Sequence, residues 1–334
     1  MSGTQDLILD ILKDGNFHSG ESLGEALGCS RTAVWKQLQK LEILGLDIES
    51  IKGTGYRVAG GFELLEPQLI KSKLTEMAVA ELGDLEVFKS IDSTNKYARE
   101  KAEQAPVSGS VVLAEQQSAG RGRRGKTWVS PFAANIYLSI VWDFEQGAQA
   151  LEGLSLAVGV AVKRALNAQG VNGVQLKWPN DIYVEGQKLG GILLEMIGDP
   201  AGQCSVIVGV GINVAMPDTQ GSDIDQEWTD IRSQLQKYAD GENHRPSRNK
   251  LAASLISEIV MLLRDFQAQG FSMYRDEWQA ADAFFGQEAV ISTPKQSITG
   301  IVKGVDQNGA LRLQRENGKI ETFIGGELSL RLSQ

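Results

Sequence analysis

The stretch GRGRRGKTWVSPFAANIYLSIVW, residues 120–142, decides between two folds for this chain. Its first eight residues satisfy the pattern G-x-x-x-x-G-K-[ST] of a nucleotide-binding P-loop. A P-loop is followed at once by a helix whose N-terminal N–H groups face the phosphate. Here Pro131 and a β-rich run follow instead. The sequence therefore predicts a loop that leads into a strand, and the P-loop match is set aside.

The charge of this loop is its second property. Within residues 116–142 there is no acid, and the basic residues are Arg121, Arg123, Arg124 and Lys126. The whole chain has a net charge of −9, so this cationic loop is a local exception. With so little apolar content, we expect it to order only when an anion binds. A solvated surface loop or a nucleic-acid patch would explain the charge alone equally well.

Length and composition limit the class of protein. A chain of 334 residues, 42% hydrophobic and 22% charged, predicts a globular protein of two or three domains. The two cysteines, Cys29 and Cys204, cannot form a disulfide framework and favour a reducing, cytoplasmic location. The only histidines, His18 and His244, exclude a His-rich metal site and disfavour a Ser-His-Asp triad. No apolar run approaches the ~20 residues of a membrane span, so we expect no membrane association.

The first 60 residues have the pattern of a winged helix-turn-helix. Apolar residues recur at helical spacing, Ser19 and Ser30 can cap the second and third helices, and Gly28 and Gly45 can end them. The alternating stretch LDIESIKGTGYRV then predicts a hairpin, which would be the wing.

This unit carries a local basic stripe, although it contains more acids than bases. The residues that should face away from its core, or flank the wing, are Arg31, Thr32, Lys36, Gln39, Lys40, Lys52 and Arg57. They predict a third helix in the major groove and a wing on phosphate. A unit that mediates only protein contacts is the alternative. Few phosphate contacts per chain predict a dimer on a two-half-site operator.

The rest of the chain predicts two more domains and an α+β fold overall. Residues 67–286 mix helices, one of them predicted over 67–82, with strands. The turn Glu185-Gly186 joins two strands directly, so part of the sheet is antiparallel. The polar segment 218–246 predicts an irregular loop or an exposed helix. Residues 287–334 are short alternating strands typical of a small β-barrel docked on its neighbour.

Two further motifs carry polar residues to places where ligands bind. In LKWPND, residues 176–181, Asn180 and Asp181 lie at the end of a strand, and Lys177 and Lys188 fall on neighbouring strands. In IDSTN, residues 91–95, Ser93 or Thr94 can cap a helix. Taken one at a time, turn formation, exposed lysines and capping explain these motifs.

Taken together and in this order, the motifs resemble the biotin protein ligases. The residues that carry the resemblance are 93–95, Gln117 with GRGRRG, 177–181, 188–191 and 209–213. The winged unit resembles that of the bifunctional form, which is also the biotin operon repressor. The resemblance covers nearly the whole chain. It implies a winged helix-turn-helix domain (residues 1–62), a mixed-sheet ligase domain related to class II synthetase-like folds (67–286) and a small C-terminal β-barrel (287–334).

The resemblance implies two chemical steps. Biotin and ATP, which arrives with Mg²⁺ and needs no protein metal site, form biotinyl-5′-AMP and pyrophosphate. The adenylate then acylates a lysine of a biotin carboxyl carrier protein. The implied biotin-binding residues are Ser93, Thr94, Asn95, Gln117, Arg121, Gly122, Arg123 and Lys188. The implied nucleotide-binding residues are Trp128, Lys177, Asn180, Asn213 and Arg248. The implied catalytic residues are Arg123, Lys177, Asp181 and Lys188, with Asp181 orienting or deprotonating the incoming lysine.

The resemblance also implies a second role for the adenylate. Biotinyl-5′-AMP would act as corepressor, because loop ordering would favour a homodimer that binds operator DNA. A ligand-sensing repressor without ligase activity and a lipoate-type adenylate-forming ligase are the alternatives.

Overall fold

The computed structural model describes residues 3–145, 147, 151–199, 201–221, 224, 226–237, 246–292, 296–325 and 328–332. Its N-terminal unit contains helices α1 (Gly3–Leu12), α2 (Gly20–Leu27) and α3 (Arg31–Ile43), followed by the hairpin of β1 (Ile48–Ile51) and β2 (Gly55–Val58). The hydroxyl oxygens of Ser19 and Ser30 accept N–H groups in the first turns of α2 and α3. The predicted winged helix-turn-helix is confirmed.

The core of this unit includes residues from outside it. Ile8, Leu12 and Leu38 are buried together with Phe132 and Ala133, which follow the loop of residues 120–127, called here the glycine-arginine loop. The carbonyl of Leu44, at the end of α3, accepts the Phe132 N–H at 3.2 Å and the Gln116 Nε2–H at 3.1 Å. The winged unit is therefore packed directly against both ends of that loop.

The central domain is built on a mixed sheet, as predicted, and this sheet has seven strands. Its strands are β3 (Leu85–Phe88), β4 (Val111–Ala114), β5 (Ile136–Phe144), β6 (Val174–Lys177), β7 (Asp181–Val184), β8 (Gln187–Gly198) and β9 (Cys204–Ile212). The strand order is β3-β4-β5-β9-β8-β7-β6. Only β3 and β4 are parallel; the other pairs are antiparallel. The loop of residues 120–127 lies between β4 and β5.

Helices cover both faces of this sheet. The helices of the central domain are α4 (Pro67–Lys71), α5 (Glu76–Glu81), α6 (Thr94–Gln104), α7 (Leu154–Asn167), α8 (Asp218–Gly221), α9 (Ile231–Gln236), α10 (Arg248–Gln269) and α11 (Arg275–Ala280). The predicted single helix over 67–82 is wrong, because α4 ends at Lys71 and Thr75 caps a new helix by accepting the Ala78 N–H. Helices α7 and α10 share the main core, and α6 packs on the opposite face around Ala98.

The described part of the polar segment 218–246 contains two short helices, α8 and α9. Residues 238–245 of that segment, His244 among them, lie outside the described residues. Across the described ranges, the helices are all too short or too polar to cross a membrane.

The C-terminal segment is all β, as predicted. Strands β10 (Glu288–Ser292), β11 (Ser297–Val305), β12 (Leu311–Gln314), β13 (Ile320–Phe323) and β14 (Ser329–Leu332) form one antiparallel sheet in the order β13-β12-β11-β10-β14. Ala289, Ile291 and Leu311 join the main core of the central domain. The Trp178 Nε1–H donates to the Gly309 carbonyl at 3.1 Å, so this sheet is docked beside the KWPND turn.

Candidate ligand site

A cavity of about 460 Å³ opens between the glycine-arginine loop and the ends of the central strands. It brings together nearly all the predicted ligand residues, although they are spread over more than a hundred positions of the chain. Those that line it are Ser93, Thr94, Asn95, Gln117, Arg121, Gly122, Arg123, Trp128, Lys177, Asn180, Asp181, Lys188 and Asn213. The motifs are therefore parts of one site.

One side of the cavity, the neutral wall, is lined by Ser93, Thr94, Asn95 and Gln117, and Ser139 supports it from behind. The backbone N–H and the hydroxyl of Thr94 donate to Gln117 Oε1 at 2.8 and 3.1 Å. Ser139 Oγ lies 2.8 Å from Thr94 Oγ1 and 2.6 Å from Asn95 Oδ1. All but Gln117 are buried. These polar groups are held in place by one another before any ligand binds.

Gly209 explains why the neutral wall can lie so close to the sheet. A Cβ atom on Gly209 would be only 2.2 Å from Asn95 Oδ1. The first glycine of the sequence GVGIN is thus required for the Asn95 side chain to lie flat on β9.

The glycine-arginine loop closes on itself by backbone hydrogen bonds. The Gly122 N–H donates to the Lys126 carbonyl at 2.7 Å, and the Trp128 N–H donates to the Gly120 carbonyl at 2.9 Å. After the loop the chain enters β5, with no helix at the position where a P-loop requires one. This confirms the prediction from Pro131 and the β-rich run.

The two inward arginines of the loop reach opposite walls. Arg121 Nη2 lies 2.9 Å from Glu195 Oε1, next to the neutral wall. Arg123 Nη1 donates to Asn180 Oδ1 at 2.9 Å, at the KWPND turn. Burial lowers the pKa of Arg123, and the nearby Asp181 carboxylate opposes that shift. The loop therefore spans the cavity between its two walls.

The opposite side, the cationic wall, consists of Lys177, Lys188 and Arg123 around Asp181. Asp181 Oδ1 lies 2.7 Å from Lys188 Nζ, and Asp181 Oδ2 lies 4.0 Å from Lys177 Nζ. The Lys177 ammonium also donates to the Tyr183 hydroxyl at 3.0 Å. Burial lowers the pKa of Lys177, and burial raises the pKa of Tyr183 to about 12. Three cations thus share one carboxylate, which favours an anionic ligand.

Trp128 lies between the walls, where its ring packs on two glycines of the sheet. Gly191 and Gly211 are cross-strand partners, and a Cβ on Gly211 would be 2.6 Å from the Trp128 ring. The Lys188 ammonium is 5.6 Å from the ring centroid. The buried indole N–H of Trp128 finds no acceptor among the described residues. The flat aromatic ring is therefore available to a ligand, whereas its N–H is buried against the sheet.

Several site residues were not predicted from the sequence. Ser139 completes the neutral wall and Glu195 supports it. Ile224, Gln226 and Trp228, from the polar segment 218–246, line the cavity. An isolated tryptophan in so polar a segment was the available signal. Arg331, from β14, also lines the cavity and, with Lys126 and Lys177, a second one of about 610 Å³ beside it.

Arg248 lies outside the cavity, unlike the other predicted ligand residues. It begins α10, as predicted, but its guanidinium is buried against Glu115, with 2.7 Å between Nη1 and Oε2. Its remaining donors bond the carbonyls of Glu63 and Asn135. Its donors are directed to protein acceptors, so the structure does not bring Arg248 to the predicted nucleotide site; its guanidinium instead fastens the linker after the winged unit to the sheet.

The predicted DNA-contacting residues form an exposed surface on the winged unit. Six of the seven are exposed: Arg31, Thr32, Lys36, Gln39, Lys40 and Lys52. Arg57 is partly buried, with Nε donating to Glu49 at 2.7 Å and the guanidinium 4.4 Å from the Phe17 ring centroid. Trp35, which was not predicted to contact DNA, is also exposed on α3. The surface thus presents cations, one hydroxyl, one amide and one aromatic ring.

Comparison with known families defines the class of protein. A model of the biotin/lipoate A/B protein ligase family matches residues 87–213, a helix-turn-helix domain matches residues 4–57, and a biotin protein ligase C-terminal domain matches residues 284–331. The fold and the cavity therefore belong to a helix-turn-helix protein that carries a ligase domain of the biotin/lipoate type.

Relatives of the whole chain refine that class. The chain is 38% identical to the bifunctional ligase/repressor BirA of Escherichia coli K12, covering 98% of this chain and 97% of that one. It is 31% identical to BirA of Bacillus subtilis 168, covering 98% of both. The biotin protein ligase of Aquifex aeolicus, solved with biotin and ATP, superposes with a TM-score of 0.62 at 28% identity over 75% of this chain and 99% of that one. The chain belongs to the family of bifunctional biotin ligase/repressors, and the resemblance drawn from its motifs is confirmed.

Proposed function

We propose that the chain joins biotin to AMP, transfers biotin from the adenylate to a lysine of a biotin carboxyl carrier protein, and represses transcription when the adenylate is bound. The observation that carries this proposal is the pairing of a neutral wall with a cationic wall in one cavity beneath a cationic loop. Biotin has a neutral ureido head and an anionic carboxylate, so it matches both walls at once.

In the first step the carboxylate of biotin attacks the α-phosphate of ATP, and pyrophosphate leaves. Mg²⁺ enters as part of the ATP substrate. The neutral wall would hold the ureido head while Lys188 meets the carboxylate and the phosphate that replaces its charge. Lys177 and Arg123 would stabilise the remaining phosphate oxygens, and Trp128 offers its ring to adenine. The site supplies position and positive charge, and the attacking atom belongs to the substrate.

In the second step the ε-amine of the carrier lysine forms an amide bond and AMP leaves. The amine attacks only when it is neutral, so a proton must be removed. Asp181 suits this role because its closest cation in the ligand-free chain is Lys188. When the adenylate phosphate binds Lys188, the Asp181 carboxylate becomes available to the incoming amine. Arg121, Gly122 and Arg123 would cover the mixed anhydride and keep water away.

The experiment that tests the ligase activity is a mass measurement. The protein is incubated with ATP, Mg²⁺, biotin and an apo carrier domain, and the carrier is weighed. We expect one biotin-sized increment, which is absent when lipoate replaces biotin. An increment with lipoate would favour a lipoate-type ligase, and no increment with either acid would leave a ligand-sensing repressor. The intact contacts of Asp181 and Lys188 favour an active enzyme.

The repressor role follows from the exposed basic surface of the winged unit. We propose that Lys36, Gln39 and Lys40 of α3 contact the major groove of operator DNA, with Lys52 and Arg57 near the phosphates. The few cations per chain imply that two copies bind together. Both activities would take place in the cytoplasm, where ATP and the operator are found. The proposed DNA-binding, ligase and C-terminal domains comprise residues 1–62, 67–286 and 287–334.

An open strand edge supports a dimer on the ligase domain. Strand β8 pairs with β7 only as far as Gly191, whereas its pairing with β9 continues to Gly198. Within the described residues, the other edge of residues 192–198 has no strand partner, so a second copy can extend the sheet there. Asn180 bonds both Ile192 and Arg123, so loop ordering reaches the start of this edge.

Sedimentation of the protein with and without biotinyl-5′-AMP tests this dimer. We expect the association constant to rise when the adenylate is bound, and operator DNA to favour the adenylate-bound dimer. Equal association constants in the two states would contradict the adenylate-dependent dimer.

A further inference from the structure

Glu195 lies behind the neutral wall, where it touches both the loop and the wall. Its side chain, on β8, is only 14% exposed. One carboxylate oxygen lies 2.9 Å from Arg121 Nη2, and the other accepts the Asn95 Nδ2–H at 2.9 Å. Because Arg121 and Asn95 both line the cavity and Glu195 does not, this carboxylate acts on the site only through its two partners.

The contact with Glu195 fixes the direction of the Asn95 amide. A carboxylate only accepts hydrogen bonds, so it holds the Asn95 NH₂ group towards itself and turns Oδ1 towards Ser139. Leu193 supports the same orientation, because its carbonyl accepts from Nδ2 at 3.3 Å. The donor and acceptor pattern that the neutral wall presents therefore depends on Glu195.

The hydrogen bonds beyond Asn95 return to the loop. From Ser139 they pass through Thr94 to Gln117, whose Nε2–H donates to Ser130 Oγ at 3.1 Å. Arg121 is part of the loop, and Gln117 and Ser130 are on its two stems. The network thus begins at Arg121 on the loop and ends on the stems, and Glu195 supplies the negative charge among these residues. Connected hydrogen bonds in a buried setting strengthen one another.

Docking of the loop provides Glu195 with its closest cation. Arg99 acts on Glu195 only from a distance, since its own hydrogen bond goes to Glu103 at 2.9 Å. If the loop lifted, a largely buried carboxylate would lose its ion-pair partner, which is unfavourable. A correctly oriented neutral wall and a docked loop therefore favour each other.

We propose that Glu195 is a positioning residue that couples docking of the glycine-arginine loop to the selection of biotin. This rests on the proposed function, in which biotin binds the neutral wall. Loss of the Glu195 charge should weaken biotin binding and adenylate retention, and leave ATP binding at the cationic wall unchanged.

A double-mutant cycle tests this coupling. Pyrophosphate release is measured as a function of biotin and of ATP for the wild type, Glu195→Gln, Arg121→Gln and the double variant. Glu195→Gln should raise the KM for biotin about tenfold, the loss expected from one charge-assisted hydrogen bond. The KM for ATP and kcat should stay within about twofold. The KM for biotin of the double variant should be no higher than that of the more impaired single variant, because both substitutions remove the same ion pair.

Glu103→Gln is the matched control. It removes an Arg–Glu pair of the same length on α6 with both side chains exposed, and it should behave as the wild type does. An unchanged KM for biotin in Glu195→Gln would overturn the proposal. Additive losses in the double variant would also overturn it, since Arg121 and Glu195 would then act separately.

Hydrogen exchange separates this proposal from the proposed function. In the ligand-free proteins, exchange at the amides of residues 120–127 should be faster in Glu195→Gln than in the wild type and in Glu103→Gln. That comparison needs no catalysis, and equal exchange would overturn the anchoring role of Glu195. A wild type that releases no pyrophosphate with biotin and ATP would refute the ligase assignment instead.

Discussion

The two walls of the cavity are built on different principles. In the neutral wall, Thr94, Asn95 and Gln117 find partners within the fold, so the wall is complete without a ligand. In the cationic wall, Lys177, Lys188 and Arg123 surround one carboxylate, Asp181, and Arg123 also donates to Asn180. The neutral wall is preorganised for an uncharged group, whereas the cationic wall has an excess of positive charge that an anionic substrate would neutralise. Selection and chemistry are therefore assigned to different sides of one site.

The largest effect on the contrast between the two walls is expected from removal of the Lys188 charge. Lys188→Met should lower kcat for pyrophosphate release about a thousandfold, because it removes the charge at the reacting carboxylate and the closest of the three cations around Asp181. Lys250→Met, at an exposed position on α10, is the control. A loss of less than about tenfold would mean that the cationic wall does not depend on Lys188.

Asp282, a buried acid beside the cationic wall, gives a prediction about the stability of the folded protein. Asp282 lies next to Leu176; its Oδ1 accepts the Phe284 N–H, and its buried Oδ2 has no partner among the described residues. Burial raises the pKa of Asp282 to about 6. A raised carboxyl pKa stabilises the folded protein at low pH, and this contribution is lost as the pH rises from about 4 to about 6.

Asp282→Asn should therefore raise the free energy of unfolding by about 2–3 kcal/mol at pH 8 and by almost nothing near pH 4. Urea unfolding at the two pH values measures the difference. Asp276→Asn, at an exposed position on α11, should change neither value. A gain that is equal at both pH values would show that ionisation of Asp282 is not its cause.

The loop that joins the walls should matter more for retention of the adenylate than for its formation. Arg123→Gly removes the hydrogen bond to Asn180 and should shorten the half-life of bound biotinyl-5′-AMP about tenfold. Release of the adenylate can be followed after rapid gel filtration. Arg124→Gln, on the same turn but exposed, is the control. Equal half-lives of the bound adenylate in the wild type and in Arg123→Gly would show that Arg123 does not help the glycine-arginine loop to retain it.

The smallest effect is expected within the neutral wall. Ser139→Ala removes one neutral hydroxyl between Thr94 and Asn95 and should raise the KM for biotin about threefold, without a change in the KM for ATP. Steady-state kinetics with each substrate distinguish the two constants. An increase in the KM for ATP would show that the two walls are not independent.

The sequence predicted those parts of the site whose chemistry lies in short motifs. Residues 93–95, 120–123, 177–181 and 188–191 each combine a turn or strand end with the side chains that the site uses. Glu195 and Ser139 escaped prediction because they are in strand interiors, where only the register of β5, β8 and β9 brings them beneath the cavity.

Side-chain direction was the other limit of prediction. Arg248 was correctly placed at the start of a helix, but local sequence does not show that Glu115, more than a hundred residues away, draws its guanidinium inward. The break between α4 and α5 depends on Thr75, which caps α5. The sequence alone does not show whether Thr75 caps a new helix or lies within a continuous one. Local signals predicted most elements, and long-range pairing determined their exceptions.

The fate of a preformed adenylate tests the central claim most directly. Enzyme loaded with biotinyl-5′-AMP is mixed either with buffer or with apo carrier domain, and the two rates of adenylate loss are compared. If the loop shelters the adenylate until the carrier lysine arrives, transfer should exceed loss to water by at least about a hundredfold. Comparable rates in the two mixtures would contradict the account.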